Sequence, residues 1–230
     1  TTAIAMAAAL GASHAEIYSD VDGVYSADPR VAEDARHLPE LTYDEMGRMA
    51  AAGAKVLHAK AVELARDAGI AIRARSTFRP GKETHVHDAA APARTPRAVV
   101  GARGLAEIAL PRRAFTGALA LLAEAGLDVP FSATGDRVAL ALRPAHAPDW
   151  PALRRALEEA HEARIMDARG TVTIVGGGRA PVAAAVEELV PGVTLECAEG
   201  EVRLRMDDAS VDDAVRVLHA RLVGGEDPPA

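Results

Sequence analysis

The chain has 230 residues with 26 Lys and Arg against 33 Asp and Glu, a net charge of −7 and a pI near 5.6. That acidic balance argues against a nucleic-acid binder, whose domains carry a basic surplus. Hydrophobic residues make up 49% but aromatics only 3%, so one large domain or two small ones must be built on Ala, Val and Leu.

The opening TTAIAMAAAL lacks the positive start of a secretory signal and reads as a helix over 2–10 closed by Gly11. With no initiator Met and no strand before it, the chain is expected to be cut from a longer one. A strand over 15–19 runs into polar turn residues and a loop to 41. Thr42 and Glu45 have capping-box spacing. Val56, Leu57, Val62 and Leu64 predict an apolar helix face over 55–67, and a strand follows over 70–75. Strands interleaved with helices imply a mainly parallel sheet. Residues 88–97, DAAAPARTPR, read as a linker.

Two similar β-α-β-β-α units come next, an internal repeat of small α+β modules. The first has strands over 106–110, 127–132 and 137–142, with helices over 113–125 and 150–163. The second has strands over 171–175, 193–197 and 201–206, with helices over 181–189 and 211–222.

Candidate chemistry lies in the first third. Asp20 ends the first strand, where open parallel sheets place a ligand crevice. Tyr25 offers a flat face and a hydroxyl to a base or ribose. Arg30 carries a planar fork of donors suited to phosphate. Lys55 is expected at a helix mouth, where the dipole and free N–H groups attract anions. Taken singly, each has an ordinary reading: Asp20 and Asp22 as turn formers, Tyr25 as packing, Arg30 and Lys55 as solvated charges.

Other signals are weaker. His85 and His87 share a strand side without further ligands and read as surface residues. His58 reads as a hydrogen-bonded packing residue. Cys197, the single cysteine, excludes an intramolecular disulfide, fits a reducing compartment and reads as a buried thiol. Gly176-Gly177-Gly178 lacks the third glycine of a dinucleotide fingerprint, since Pro181 occupies it, and reads as a tight turn. Charges or glycines interrupt every apolar run before membrane-spanning length.

Taken together, SDVDGVYSADPR (19–30) resembles the nucleotide loop of the amino acid kinase superfamily, with Ser19 where Thr is usual. MAAAGAKVLHAKAVELARDAGIAIRARSTF (49–78) is similar to the corresponding segment of aspartate kinases, departing at Ala59, where that family usually carries Pro. The repeat resembles tandem ACT domains, and VDDAVRVLHARLVGGED (211–227) resembles the family's C-terminus.

The resemblance implies an α/β fold: the C-terminal, ATP-binding part of an amino acid kinase domain over 1–88, with a linker over 89–97. ACT-like, ferredoxin-like modules would follow over 98–168 and 169–227. It implies ATP contacts from Ser19, Asp20, Tyr25, Arg30, Lys55 and Val56, with Mg²⁺ arriving as the nucleotide complex. The parent reaction would phosphorylate the β-carboxylate of L-aspartate, at the head of lysine, threonine and methionine biosynthesis. The family's Lys- and Gly-rich phosphate segment and its Gly-Gly-Ser-Asp element do not occur in these residues. Catalytic groups are therefore expected upstream of Thr1, and this chain alone is expected to be inactive. In the first ACT-like loop, LPRRAFTG (110–117) replaces the usual Asp-x-Pro-Gly, so lysine, threonine or no effector at all remain as alternatives. A homodimer through the ACT-like region and a cytoplasmic location are expected, with no nucleic-acid or membrane partner. The alternative is a non-catalytic regulatory subunit that binds an amino-acid effector and a catalytic chain.

Overall fold

The computed structural model describes residues 1–88, 95–129 and 131–224. In chain order the first elements are α1 (Thr2–Ala9), β1 (His14–Ser19), β2 (Val24–Tyr25), β3 (His37–Leu38), β4 (Glu40–Leu41), α2 (Tyr43–Ala52), α3 (Ala59–Ala68), β5 (Ala71–Ser76) and β6 (Glu83–Val86). Then come β7 (Pro96–Pro111), α4 (Phe115–Glu124), β8 (Phe131–Thr134), β9 (Arg137–Leu142), α5 (Trp150–His161), β10 (Arg164–Gly176), α6 (Arg179–Leu189), β11 (Thr194–Ala198), β12 (Glu201–Asp207) and α7 (Val211–Leu222).

The chain forms two compact units. The larger combines residues 1–102 and 171–205 with the C-terminal residues from 211; the smaller holds 103–170 and 206–210.

In the larger unit one sheet has the order β1-β5-β6-β4. β1 pairs parallel to β5, and β4 parallel to β6. β5 and β6 pair antiparallel, because the short turn between them leaves no room for a crossover helix. α2 begins on the expected capping box: Glu45 N–H donates to Thr42 Oγ1 at 3.1 Å, and Thr42 N–H donates to Glu45 Oε2 at 3.0 Å. Ile4, Met46, Met49, Val62 and Ile72 form a core that also takes in Ala98, Val100 and Val175. The N-terminal segment therefore shares one apolar interior with parts of β7 and β10. The unit's second sheet runs β11-β12-β10-β7, so the start of β7 lies beside β10.

The smaller unit has the order β10-β7-β9-β8. Its core is Ile108, Leu110, Leu122, Leu140 and Leu157 from strands and helices α4 and α5.

Several expected bounds change. The helix expected over 55–67 starts at Ala59, because His58, with extended backbone (φ −87, ψ 136), caps it by accepting from Lys60 N–H at 3.3 Å. His58 is exposed and acts as that cap, not as a packing residue. The strand expected over 106–110 is part of a 16-residue strand, and that expected over 171–175 is part of a 13-residue one. Residues 89–94 of the expected linker, Pro130 and residues 225–230 lie outside the described residues. Cys197 is exposed on β11, the last strand of its sheet, and not buried. Gly176 and Gly177 make the expected tight turn: both have positive φ (+83 and +76), and a Cβ on Gly177 would lie 2.8 Å from Pro96.

Candidate nucleotide site

Ser19 and Asp20 lie at the C-terminal end of β1, Tyr25 and Arg30 on the stretch that follows it, and Lys55 and Val56 on the separate segment between α2 and α3. The β1 backbone ends at Ser19, whose Oγ accepts from Val21 N–H at 3.3 Å and donates to Val21 O at 3.2 Å. This closes a local turn that leaves Asp20 exposed. The chain then reverses at Gly23, which has φ +103; a Cβ there would lie 2.7 Å from both His37 Nε2 and Thr84 Oγ1. Thr84 is fully buried; its hydroxyl accepts from Val24 N–H at 2.8 Å and donates to Leu38 O at 2.6 Å. That one side chain fixes the β2–β3 ribbon to β6.

Tyr25 is half-buried. Its hydroxyl donates to Asp22 Oδ1 at 3.0 Å, its ring meets His37 edge-on at 5.6 Å, and Lys82 Nζ lies 5.9 Å from its centroid. Burial and the bond to the Asp22 carboxylate raise the Tyr25 pKa above its ordinary value. Burial opposes ionisation of Asp22, yet the Tyr25 hydroxyl, a backbone N–H and the charges of Arg79 and Lys82 outweigh it and hold its pKa low.

Arg30 lies farther along the loop and is largely exposed. Its Nε and Nη2 donate to the two oxygens of Asp28 at 3.0 and 2.9 Å. A guanidinium has five N–H donors, so the rest remain open to a ligand. The Arg30 hydrogen bond holds the Asp28 pKa low, with a lesser contribution from the charge of Lys55; the charge of Asp20 acts in turn on Arg30.

Lys55 is exposed on the segment between α2 and α3. It precedes the helix by several residues, so the expected place at a helix mouth is corrected: no helix dipole begins at Lys55. Val56 is half-buried against the core and anchors the segment that presents Lys55.

The structure adds Asp22, His37, Lys82 and Thr84 to the surroundings of Tyr25. Asp22 stood inside the loop signature and read only as a turn former. Thr84 and Lys82 carry no pattern that a sequence reveals; only the fold brings them back to the loop. His85, by contrast, bonds to Glu83 at 2.5 Å. Around Tyr25 the structure thus brings together an aromatic hydroxyl bonded to a carboxylate, a histidine ring and the ammonium of Lys82.

Residues 1–76 match the model of the amino acid kinase family. Over 83 residues, 35% of this chain and 20% of the relative, the chain is 57% identical to an aspartokinase from Mycobacterium tuberculosis. It is 48% identical over 90 residues to one from Thermus thermophilus, covering 39% of this chain and 22% of that relative. The chain thus aligns with only about a fifth of the length of these curated relatives. Among solved structures, E. coli aspartokinase III in complex with aspartate and ADP superposes with a TM-score of 0.81 at 22% identity, over 96% of this chain and 55% of that one. Aspartate kinase from Clostridium acetobutylicum gives a TM-score of 0.73 at 19% identity, over 97% and 56%. Residues 1–76 are thus similar to the amino acid kinase family, and nearly all of this chain shares the fold of just over half of aspartokinase III.

Proposed function

We propose that this chain supplies the nucleotide side of an aspartate kinase, in which Mg-ATP gives its γ-phosphoryl group to the β-carboxylate of L-aspartate. One observation carries the reading: Asp20 stands exposed at the end of β1 and Arg30 largely exposed on the loop that follows, within the residues that match the amino acid kinase family. The solved aspartokinase III complex with aspartate and ADP supports it by fold.

In this proposal Ser19 and Asp20 face the nucleoside, and Tyr25 flanks the base or ribose. Arg30 and Lys55 meet the phosphates, where fixed cations offset charge that shifts as the phosphoryl group moves. Val56 gives a backbone contact, and Mg²⁺ arrives with the nucleotide. Residues 1–88 are the kinase part; 98–168 and 169–227 are ACT-like modules, through which a homodimer forms and lysine or threonine acts as effector. The setting is cytoplasmic. The 230 residues alone turn over aspartate negligibly, since positioning of both substrates supplies much of the rate in such transfers.

Titration of the purified chain with a fluorescent ATP analogue tests the reading. Saturable, Mg²⁺-dependent binding is expected. Its absence would favour a non-catalytic regulatory subunit.

A further inference from the structure

Ser26, His219 and Asp34 form a hydrogen-bonded chain within the larger unit. His219 lies on α7 and Ser26 at the base of the loop that carries Arg30; both are fully buried. Ser26 Oγ is 2.8 Å from His219 Nε2, and His219 Nδ1 is 3.0 Å from Asp34 Oδ1. Arg36 N–H also donates to Ser26 Oγ, at 2.8 Å.

The order of donors follows from satisfying every buried group. The Asp34 carboxylate can only accept, so Nδ1 carries the ring proton and gives it to Asp34. In that tautomer Nε2 is an acceptor, and Ser26 Oγ, which accepts from Arg36 N–H, donates its proton to it. The connectivity matches that of a hydrolytic triad, yet Ser26 is sealed from solvent and its oxygen is engaged by a backbone N–H. No substrate carbonyl can approach it, so the chain of bonds holds structure together and performs no acyl transfer.

The segment it holds is the one with Asp28 and Arg30. Ser26 N–H donates to Arg36 O at 2.8 Å and closes the base of the loop, while Val99 N–H donates to Ser26 O at 2.7 Å from β7. Arg216 Nε, one turn before His219, donates to Val31 O at 3.1 Å. α7 itself sits tightly on β7: a Cβ on Gly101 would lie 2.9 Å from Val211 and 3.0 Å from Val215. The C-terminal helix thus grips the loop at Ser26, Val31 and Asp34.

We propose that His219 is a positioning residue for the nucleotide loop: through Ser26 and Asp34 it lets α7 set the placement of Arg30, so that a shift of α7 alters how phosphate is held. The proposal deepens the nucleotide-site reading and rests on it for the role of Arg30.

Hydrogen exchange of the whole chain tests the grip without requiring nucleotide. His219→Ala and Asp34→Ala should speed exchange across 26–36 by roughly tenfold or more, as expected for a locally released segment, while β1 and β5 keep their protection. Asp34→Asn retains an oxygen that can accept from Nδ1–H and should leave the loop protected. Asp34 is half-exposed, so its variants remain informative if His219→Ala unfolds the unit. Unchanged exchange over 26–36 in Asp34→Ala, or a rise spread evenly over the larger unit, would overturn the proposal. In the same samples Mg-ADP should bind Asp34→Ala roughly tenfold more weakly than wild type, with Asp34→Asn close to wild type; equal affinity in wild type and Asp34→Ala would also overturn it. If wild type itself binds no Mg-ADP, the nucleotide reading falls, and the exchange pattern still decides whether α7 places the loop.

Discussion

Gly23 turns the chain from β1 into the loop in a left-handed conformation, with His37 and Thr84 where a side chain would stand. Gly23→Ala meets both obstacles, the backbone cost and the contact with Thr84, which cannot withdraw without losing its bonds to Val24 and Leu38. We expect a loss of about 1–3 kcal/mol, read by chemical denaturation, and weakened nucleotide binding. His37 gives a pH test. Burial, then the charge of Lys82, lowers its pKa. The unfolded chain therefore takes up a proton first as pH falls below about 6.5. This contribution to stability is fully present above that pH and is lost as pH falls through the lowered folded value. Titration of the His37 ring by NMR should show a midpoint below that of an unfolded-chain reference. Asp20, Arg30 and Lys55 were picked out as candidates because they sit in one contiguous signature or at a fixed place in a second. Thr84 and Lys82 were not, because their roles depend on a strand returning to the loop from about sixty residues away.

At the level of elements, the start of α3 carries a useful departure. Ala59 is the first helical residue after the His58 cap, a position that favours Pro because its N–H has no partner within the helix. His58 already has the extended backbone that a following Pro imposes. Ala59→Pro should therefore stabilise the chain by about 0.4–1 kcal/mol through the unfolded state, seen as a higher denaturation midpoint; a lower one would show that this helix start differs from the one described. The sequence misplaced that start because Val56 and Leu57 extend the apolar pattern of the helix while lying outside it, and His is a weaker cap signal than Ser or Asp. Of the long strand β7 only 106–110 was expected; Gly101, earlier in that strand, serves the close approach of α7. The capping box of α2, in contrast, is local in sequence and in space, and was fully legible.

For the whole molecule, the alternation of helix and strand and the duplicated α+β pattern made the fold class readable. That the N-terminal segment and strands β7 and β10 share one core was not, since burial across more than a hundred residues leaves no periodic trace. Within its own sheet each unit ends on an edge strand, β11 in the larger and β8 in the smaller, and an open edge invites pairing with another copy. Sedimentation of the full chain at tens of micromolar, roughly where weak interfaces associate, should show a dimer; a monomer throughout would remove that proposal. The nucleotide site remains the central claim. Amide shift mapping of the full chain with Mg-ADP tests it most directly. The account predicts saturable changes concentrated at residues 19–30 and 55–56, reduced in Arg30→Ala and Lys55→Ala. Saturable changes confined to other surfaces, or none at all, would contradict it.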